Sequence, residues 1–523
     1  MRYAFRRPTG LLFFVLLITG SIAHARSRSY FVPRSITHNS VYELALRNYK
    51  TYWPGSADEY GRAGVQFFAS PFYTQSVKEQ DLGRYFTPYN KNPFVAAGSY
   101  DLGAMTASGN GNVSSYGFSI VNPGEGDGGS CQLPGDPFRS LVNFRPRRSA
   151  YGVHFGFRSD LSLFCDNYWF HVDFAAMGVR HDLKVCEVDV RNPGNTIAED
   201  STPPDPATDK SRFRNMTEAL RNPDWCYGRV ATCTLRKAGV DDIQLKLGYD
   251  WAPSCPFDHF SLYLLGTIPT GSRQCSKYLF EPVVGSKHGA LGAGMNIAYR
   301  FFECRDSSLT AMVDIKYRYI FPTTQRRSFD MIGRGDWSRY LNLAPRGGND
   351  VIFEPGINIL TVNARVRPRS VLDAWAAIHY QNRCWHAEAG YDFWYRVREQ
   401  VKDPCRFQER YGFHNSDTVI MKDAKDNLAI ARDVPTQRCR YDWVQNSNVS
   451  DATLHIVTVD DLDLCSVGHP RAYSHTIYGL VAHDNQVCEK PVTVSLAGSY
   501  EIAQDKRYAL EQWAVWGTIG VAF

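Results

Sequence analysis

The chain has 523 residues with 58 basic and 53 acidic side chains, a formal net charge of +5 that gives no reason to invoke nucleic acid. It carries 30 Tyr, 30 Phe, 11 Trp and 41 Gly against a mean hydropathy of only −0.34. No segment after the first 25 residues approaches the ~20 unbroken apolar residues a membrane helix needs, and the composition suits strands that are apolar on one face only.

The first 25 residues read as a secretory signal peptide. Arg2, Arg6 and Arg7 precede an apolar run from Leu11 to Ile18, and Ala23-His24-Ala25 has the small-x-small form of a cleavage site. The run is too short to span a membrane as an anchor. Residues 26–62 fit more than one period at Tyr42, Leu44 and Leu46, so a periplasmic helix, a plug and an extra strand all stay open.

From residue 63 a period of two takes over, the mark of strands whose successive side chains face opposite ways. Ile243, Leu245, Leu247, Tyr249 and Trp251 oppose Asp242, Gln244, Lys246 and Asp250. Val313, Ile315, Tyr317 and Tyr319 oppose Asp314, Lys316 and Arg318. Ala387, Ala389, Tyr391, Phe393 and Tyr395 oppose Glu388, Asp392 and Arg396. The segments run about ten residues or slightly more, enough for a tilted strand to cross hydrocarbon.

Soluble sandwiches also alternate, but they have no reason to sort their connections by length. Here short connections at 161–167, 252–258, 303–307, 382–384 and 484–490 alternate with long ones at 122–148, 182–239, 271–289, 323–369 and 399–472. Tight turns on one rim and large loops on the other define an antiparallel transmembrane β-barrel. Counting back from the last strand gives about fourteen strands, within a range of about 12–16. The fainter candidates are 63–76, 95–105 and 114–121, and the extended stretch 351–368 is assigned to a folded loop.

The final strand, "QWAVWGTIGVAF", puts Trp513, Val521 and Phe523 on one parity. It resembles the C-terminal signature of bacterial outer-membrane β-barrel proteins. That resemblance implies an integral outer-membrane location, contact with lipid and recognition by the barrel-assembly machinery.

By parity the lumen is lined by Asp242, Gln244, Lys246, Asp250, His259, Arg300, Asp314, Lys316, Arg318, Glu388, Asp392, Arg396 and Ser495. Inward charge of both signs is costly in a dry core and at home in water. The expectation is a porin-like channel for passive diffusion of small hydrophilic solutes; pairing of these charges across the lumen would instead plug it. His171, His259, His379 and His386 also point inward, but no nucleophile motif accompanies them, so neither an enzyme nor a cofactor is expected.

The 13 cysteines avoid the middles of the strands. Cys165, Cys255, Cys304, Cys384 and Cys488 lie in or beside the tight turns, and Cys131, Cys186, Cys226, Cys233, Cys275, Cys405, Cys439 and Cys465 in the long loops. An exported chain with this pattern is expected to use disulfides within its loops, to other envelope proteins or in a homo-oligomer. The odd count leaves at least one thiol free or intermolecular. With no C-x-x-C pair, no metal site is expected on these thiols. Cysteine-rich, exported and barrel-forming together resemble the major outer-membrane porins of chlamydia-like and legionella-like bacteria, which implies a channel that also cross-links into an envelope lattice; a structural or adhesin-type surface barrel cross-linked into the envelope is the alternative to a porin.

Overall fold

The computed structural model describes residues 27–44, 64–97, 139–161, 165, 167–191, 215–251, 259–346, 354–413, 419–422, 428–431, 455–487, 490–503 and 509–523. The signal peptide, Cys131, Cys255, Cys439, Cys488 and the candidate strand at 114–121 lie outside them.

Twelve antiparallel strands close into a ring. They are β1 (Val65–Ser76), β2 (Arg139–Asp160), β3 (Tyr168–Arg191), β4 (Ile243–Trp251), β5 (His259–Ile268), β6 (Ala290–Cys304), β7 (Ser307–Ile320), β8 (Arg369–Asn382), β9 (Trp385–Arg396), β10 (Ala472–Val487), β11 (Lys490–Ala503) and β12 (Gln512–Ala522). Each pairs with its sequence neighbour, and β1 closes the ring on β12. Phe523 and Val65 exchange backbone hydrogen bonds at the seam, with Phe523 N–H donating to Val65 O at 2.8 Å. A closed ring leaves no unpaired strand edge.

The number of wall strands is therefore twelve rather than fourteen. Both edges of β1 are taken: Gln66 lies opposite Ala522 on one side and Arg158 on the other. No space remains between β1 and β2 for the strands expected at 95–105 and 114–121. Phe94–Ala97 does form a short strand, but it adds to Arg139–Val142, at the loop end of β2.

The strand ends Asp160, Trp251, Cys304, Asn382 and Val487, which lead into the five short connections, lie on one rim together with Gly64 and Phe523. The other rim carries the long connections, which fold into an assembly of their own. Strand Thr361–Arg367 pairs with Thr323–Ser328 on one side and Gln400–Cys405 on the other. Asn342–Pro345 pairs with Glu354–Pro355 and Tyr411–Phe413. Beneath these strands lies an apolar core that includes Phe86, Trp225, Phe280, Trp337, Tyr340 and Leu343. Trp337 Nε1–H donates to Phe86 O at 2.9 Å, satisfying the polar atom of a fully buried indole.

The wall itself is inverted relative to that assembly. Leu264, Leu291, Ile378, Val494, Leu496 and Ile519 are exposed on the outside, Leu496 at 69%. Gln66, Thr74, Gln244, Lys246, Asp314, Asp392 and Thr518, of the opposite parity, are buried inside. A continuous apolar exterior on a closed barrel suits hydrocarbon rather than water.

Candidate functional site

Residues 27–44 run inside the ring. At the loop rim, Ser27 N–H donates to Asp336 Oδ2 (3.1 Å), Arg28 Nη1 to Ser466 O (2.6 Å) and the Tyr30 hydroxyl to Glu399 Oε2 (2.5 Å). Phe31 enters the loop core, edge-on to Tyr85 at 5.3 Å between centroids. Deeper in, Ser35 and Thr37 hydrogen-bond Asp241, and His38 O accepts from Arg318 Nη2 at 2.9 Å. A single helical turn, α1 (Ser40–Leu44), follows. Its Tyr42 packs on Trp516 of β12 and Phe72 of β1, at 5.0 and 6.0 Å between centroids.

Two ion-pair clusters fasten this segment to the wall. Arg34 reaches Asp373 on β8 and, at 2.7 Å, Asp392 on β9. Glu43 on α1 reaches Lys246 on β4 and, at 2.7 Å, Lys316 on β7, and also accepts from Gln244 Nε2 at 3.1 Å. Strand register builds both clusters: Asp373 lies directly opposite Lys316, and Asp392 opposite Trp375 two residues along. The wall thus presents a lysine pair, Lys246 on β4 and Lys316 on β7, beside a carboxylate pair, Asp373 on β8 and Asp392 on β9. Residues 27–44 offer each its counter-charge.

The lumen expected from parity is present but dry. Lys246 and Lys316 are each 1% exposed, Arg318 2% and Asp314 0%. Buried charges at such depth require partners, and they have them. Asp314 accepts from the Tyr263 hydroxyl at 2.9 Å, and Arg318 pairs with Asp373 at 3.0 Å. Asp250 pairs with Arg158 at 3.4 Å and accepts from Trp169 Nε1 at 2.9 Å, with His259 3.7 Å away. Arg396 lies 3.9 Å from Glu399 at the loop rim, and Ser495 is also buried inward. The open aqueous path expected here is replaced by a lumen whose charges are bonded to an internal segment and to one another.

One of the expected lining residues stands elsewhere, and one lies at the edge of the lining. Asp242, one residue before β4, turns to the loops, where its carboxylate accepts from Gly271 N–H (2.9 Å) and from Ser286 N–H (2.6 Å). Arg300 keeps the inward parity, opposite the buried Thr310, at the last register position before the bulge between Arg300 and Phe302. It is over a third exposed and pairs with Glu303 at 3.0 Å near the tight rim. Conversely, Asp373 and Arg34 are missing from the expected lining. The alternation through Leu372 and Ala374 marked Asp373; nothing periodic marked Arg34.

Glu43, His171 and Asp173 could each offer a metal-ligand atom within 4.8 Å of the others. Both Glu43 oxygens already hold lysine ammonium groups, so this cluster favours ion pairing over metal binding. At the loop rim, burial alone would raise Glu399, but Arg396 and Arg327 outweigh it and hold the carboxyl at about 2. Burial, with Arg396 nearby, pushes His469 well below the ordinary imidazole range. Burial raises Asp330 to about 6 despite Arg339.

The disulfides expected in the loops are not formed among the nine described cysteines. Cys165, Cys186, Cys226, Cys233, Cys275, Cys304, Cys384, Cys405 and Cys465 are all unpaired, and all but Cys186 are exposed. The loop assembly is held instead by its apolar core and strand pairing.

Ring and lumen together define an inside-out antiparallel barrel with an occupied polar interior. No protein-family model matches the sequence, and no curated protein is detectably similar to it. Among solved structures, an outer-membrane channel from Pseudomonas putida F1 is 8% identical with a TM-score of 0.34, over 88% of this chain and 96% of that one. A Pseudomonas aeruginosa FadL homologue is 9% identical at 0.26, over 88% and 89%. The Pseudomonas putida toluene transporter TodX is 8% identical at 0.29, over 95% and 94%. At these levels the likeness bears on neither solute nor mechanism.

Proposed function

We propose that this protein is an outer-membrane channel for small hydrophilic solutes, held shut by its own residues 27–44. The apolar exterior supports placement in a lipid bilayer, and the tight rim would then face the periplasm, as in outer-membrane barrels generally. Export by residues 1–25 and assembly through the Trp513–Phe523 strand complete this reading. The observation that carries it is the double clasp: Glu43 between Lys246 and Lys316, and Arg34 between Asp373 and Asp392. Polar fastenings of this kind can be exchanged for water or for solute when the segment moves, whereas a purely apolar filling would be a permanent core. Withdrawal of residues 27–44 would bare a lumen with charge of both signs, whose narrowest ring would set ion selectivity.

Planar-bilayer recording tests the channel. The full chain should be mostly silent, and a variant lacking residues 27–44 should show steady single-channel currents whose ion preference responds to Lys316→Glu. A folded, bilayer-inserted deletion variant that stays silent would overturn the channel.

A second reading is favoured by one specific observation. Cys165, Cys304 and Cys384 are exposed and unpaired at turns of the same rim. Neighbouring hairpin turns stand about 10 Å apart, two strand spacings, beyond the roughly 7 Å Cα separation a disulfide tolerates. These thiols are therefore better placed to bond other envelope proteins or a second copy than one another. Thiol-sensitive high-mass species on a non-reducing gel of envelopes would support such cross-linking, and their absence would refute it.

A further inference from the structure

Near the tight rim, away from both ion-pair clusters, six inward-facing side chains form one chain of contacts. The Tyr478 hydroxyl donates to Glu388 Oε1 at 2.5 Å. Glu388 Oε2 lies 3.3 Å from His379 Nδ1. His379 Nε2 lies 3.1 Å from His386 Nδ1, with the rings tilted by 42° and their centroids 5.2 Å apart. His386 Nε2 lies 2.8 Å from Asp484 Oδ2, and the Thr493 hydroxyl donates to Asp484 Oδ1 at 2.6 Å. Register produces the cluster: His379 stands opposite Glu388 across β8 and β9, His386 shares the face of Glu388 two residues earlier, and Asp484 stands opposite Thr493 across β10 and β11.

An ionised carboxylate only accepts hydrogen bonds, so the ring nitrogen facing it carries the proton. Glu388 thereby sets His379 as the Nδ1–H form, and Asp484 sets His386 as the Nε2–H form. The remaining nitrogens, His379 Nε2 and His386 Nδ1, then point lone pairs at each other. Two lone pairs at 3.1 Å call for a shared cation.

We propose that His379 Nε2 and His386 Nδ1 bind a divalent transition-metal ion of the zinc, nickel or copper class, with Glu388 and Asp484 orienting the two rings from behind. Two features support this. Nitrogens bound about 2.05 Å from one tetrahedral ion stand roughly 3.3 Å apart, close to the separation here. Metal-binding histidines characteristically donate their other ring N–H to a carboxylate, and both rings do so. Asp484 is 15% exposed, so water or a solute donor can complete the coordination from the rim.

The test uses the full chain refolded in detergent, with its thiols alkylated so that cysteine cannot compete. Titration with Zn2+ should reveal one saturable site per chain, and the Cu2+ electron paramagnetic resonance spectrum should carry hyperfine splitting from two imidazole nitrogens. His379→Ala and His386→Ala should each abolish that site. Asp484→Asn, which keeps the ring and the shape of its neighbour, should weaken it about 10–100-fold. His475→Ala, on the outer face against Tyr391, should change nothing. The proposal is overturned if the native chain binds no more tightly than the double alanine variant, as a merely shared proton would give. It is equally overturned if the Cu2+ spectrum lacks nitrogen splitting or if Asp484→Asn binds unchanged. A heat-modifiable gel shift confirms that each variant has folded, and Asp484→Asn remains decisive if the alanine variants do not.

Discussion

The barrel wall and the loop assembly bury their side chains in opposite senses. Around Trp337 the loops gather Phe86, Phe280 and Tyr340 into a buried apolar core. Along β4 to β9 the order is reversed, with Leu264 and Ile378 outside and Lys246, Asp314 and Asp392 within. Residues 27–44 belong to both regimes: Phe31 joins the apolar core, while Arg34 and Glu43 join the charged one.

Substitutions can break this contrast. The largest effects should come from removing one partner of a buried charge cluster or the anchor of the apolar one. Glu43→Ala strands Lys246 and Lys316 without their counter-ion, and should loosen residues 27–44 by about 3–5 kcal/mol, the usual cost of an orphaned buried charge. Limited proteolysis should then cleave that segment while the wall stays heat-modifiable. Trp337→Ala should cost a similar ~3–5 kcal/mol, but confined to the loops, visible as early melting of near-UV ellipticity with the barrel intact.

Next, Leu264→Arg places a charge on the exterior, and refolding into bilayers should become less favourable by about 2–4 kcal/mol near the midplane. The same substitution would be nearly neutral on an ordinary water-facing surface, so a null result would mean this face does not meet lipid.

The acid response sharpens the contrast at the loop rim. Glu399, held at about 2 in the folded chain against 4.5 ordinarily, contributes stability above 4.5 that is lost as pH falls towards 2. His469, depressed from 6.5, also loses stability as pH falls below 6.5. Asp330, raised from 3.8 to about 6, works the other way between those values. Release of residues 27–31 should therefore rise steeply below pH 4.5, and Glu399→Gln should flatten that rise. The smallest effect should be Asn215→Ala, which removes the side chain accepting from Glu218 N–H at 2.9 Å, for about 1 kcal/mol.

The wall was largely legible in the sequence because its signal is local. An outward Leu245, Leu247 and Tyr249 alternating with Gln244 and Lys246 needs no knowledge of any other strand. The count was less so, because whether 95–105 joins the ring depends on which partner β1 accepts, and alternation is silent about that. Arg300 keeps its expected parity because the bulge between Arg300 and Phe302 follows it; only beyond that point does parity reasoning, which assumes an unbroken pleat, fail. The occupant of the lumen was least legible. Glu43 meets partners 203 and 273 residues away, through contacts that carry no period at all. Its sequence, short and mixed in polarity, fits a plug, a helix or a strand equally well until the wall charges it neutralises are in place.

Hydrogen–deuterium exchange of the full chain reconstituted in lipid tests the central claim most directly. If residues 27–44 are seated in the lumen, their amides should exchange as slowly as those of β8 and β9, and Glu43→Ala should release them without releasing the wall. Immediate exchange of that segment in the native chain, beside fully protected strands, would show that the lumen is not filled by it.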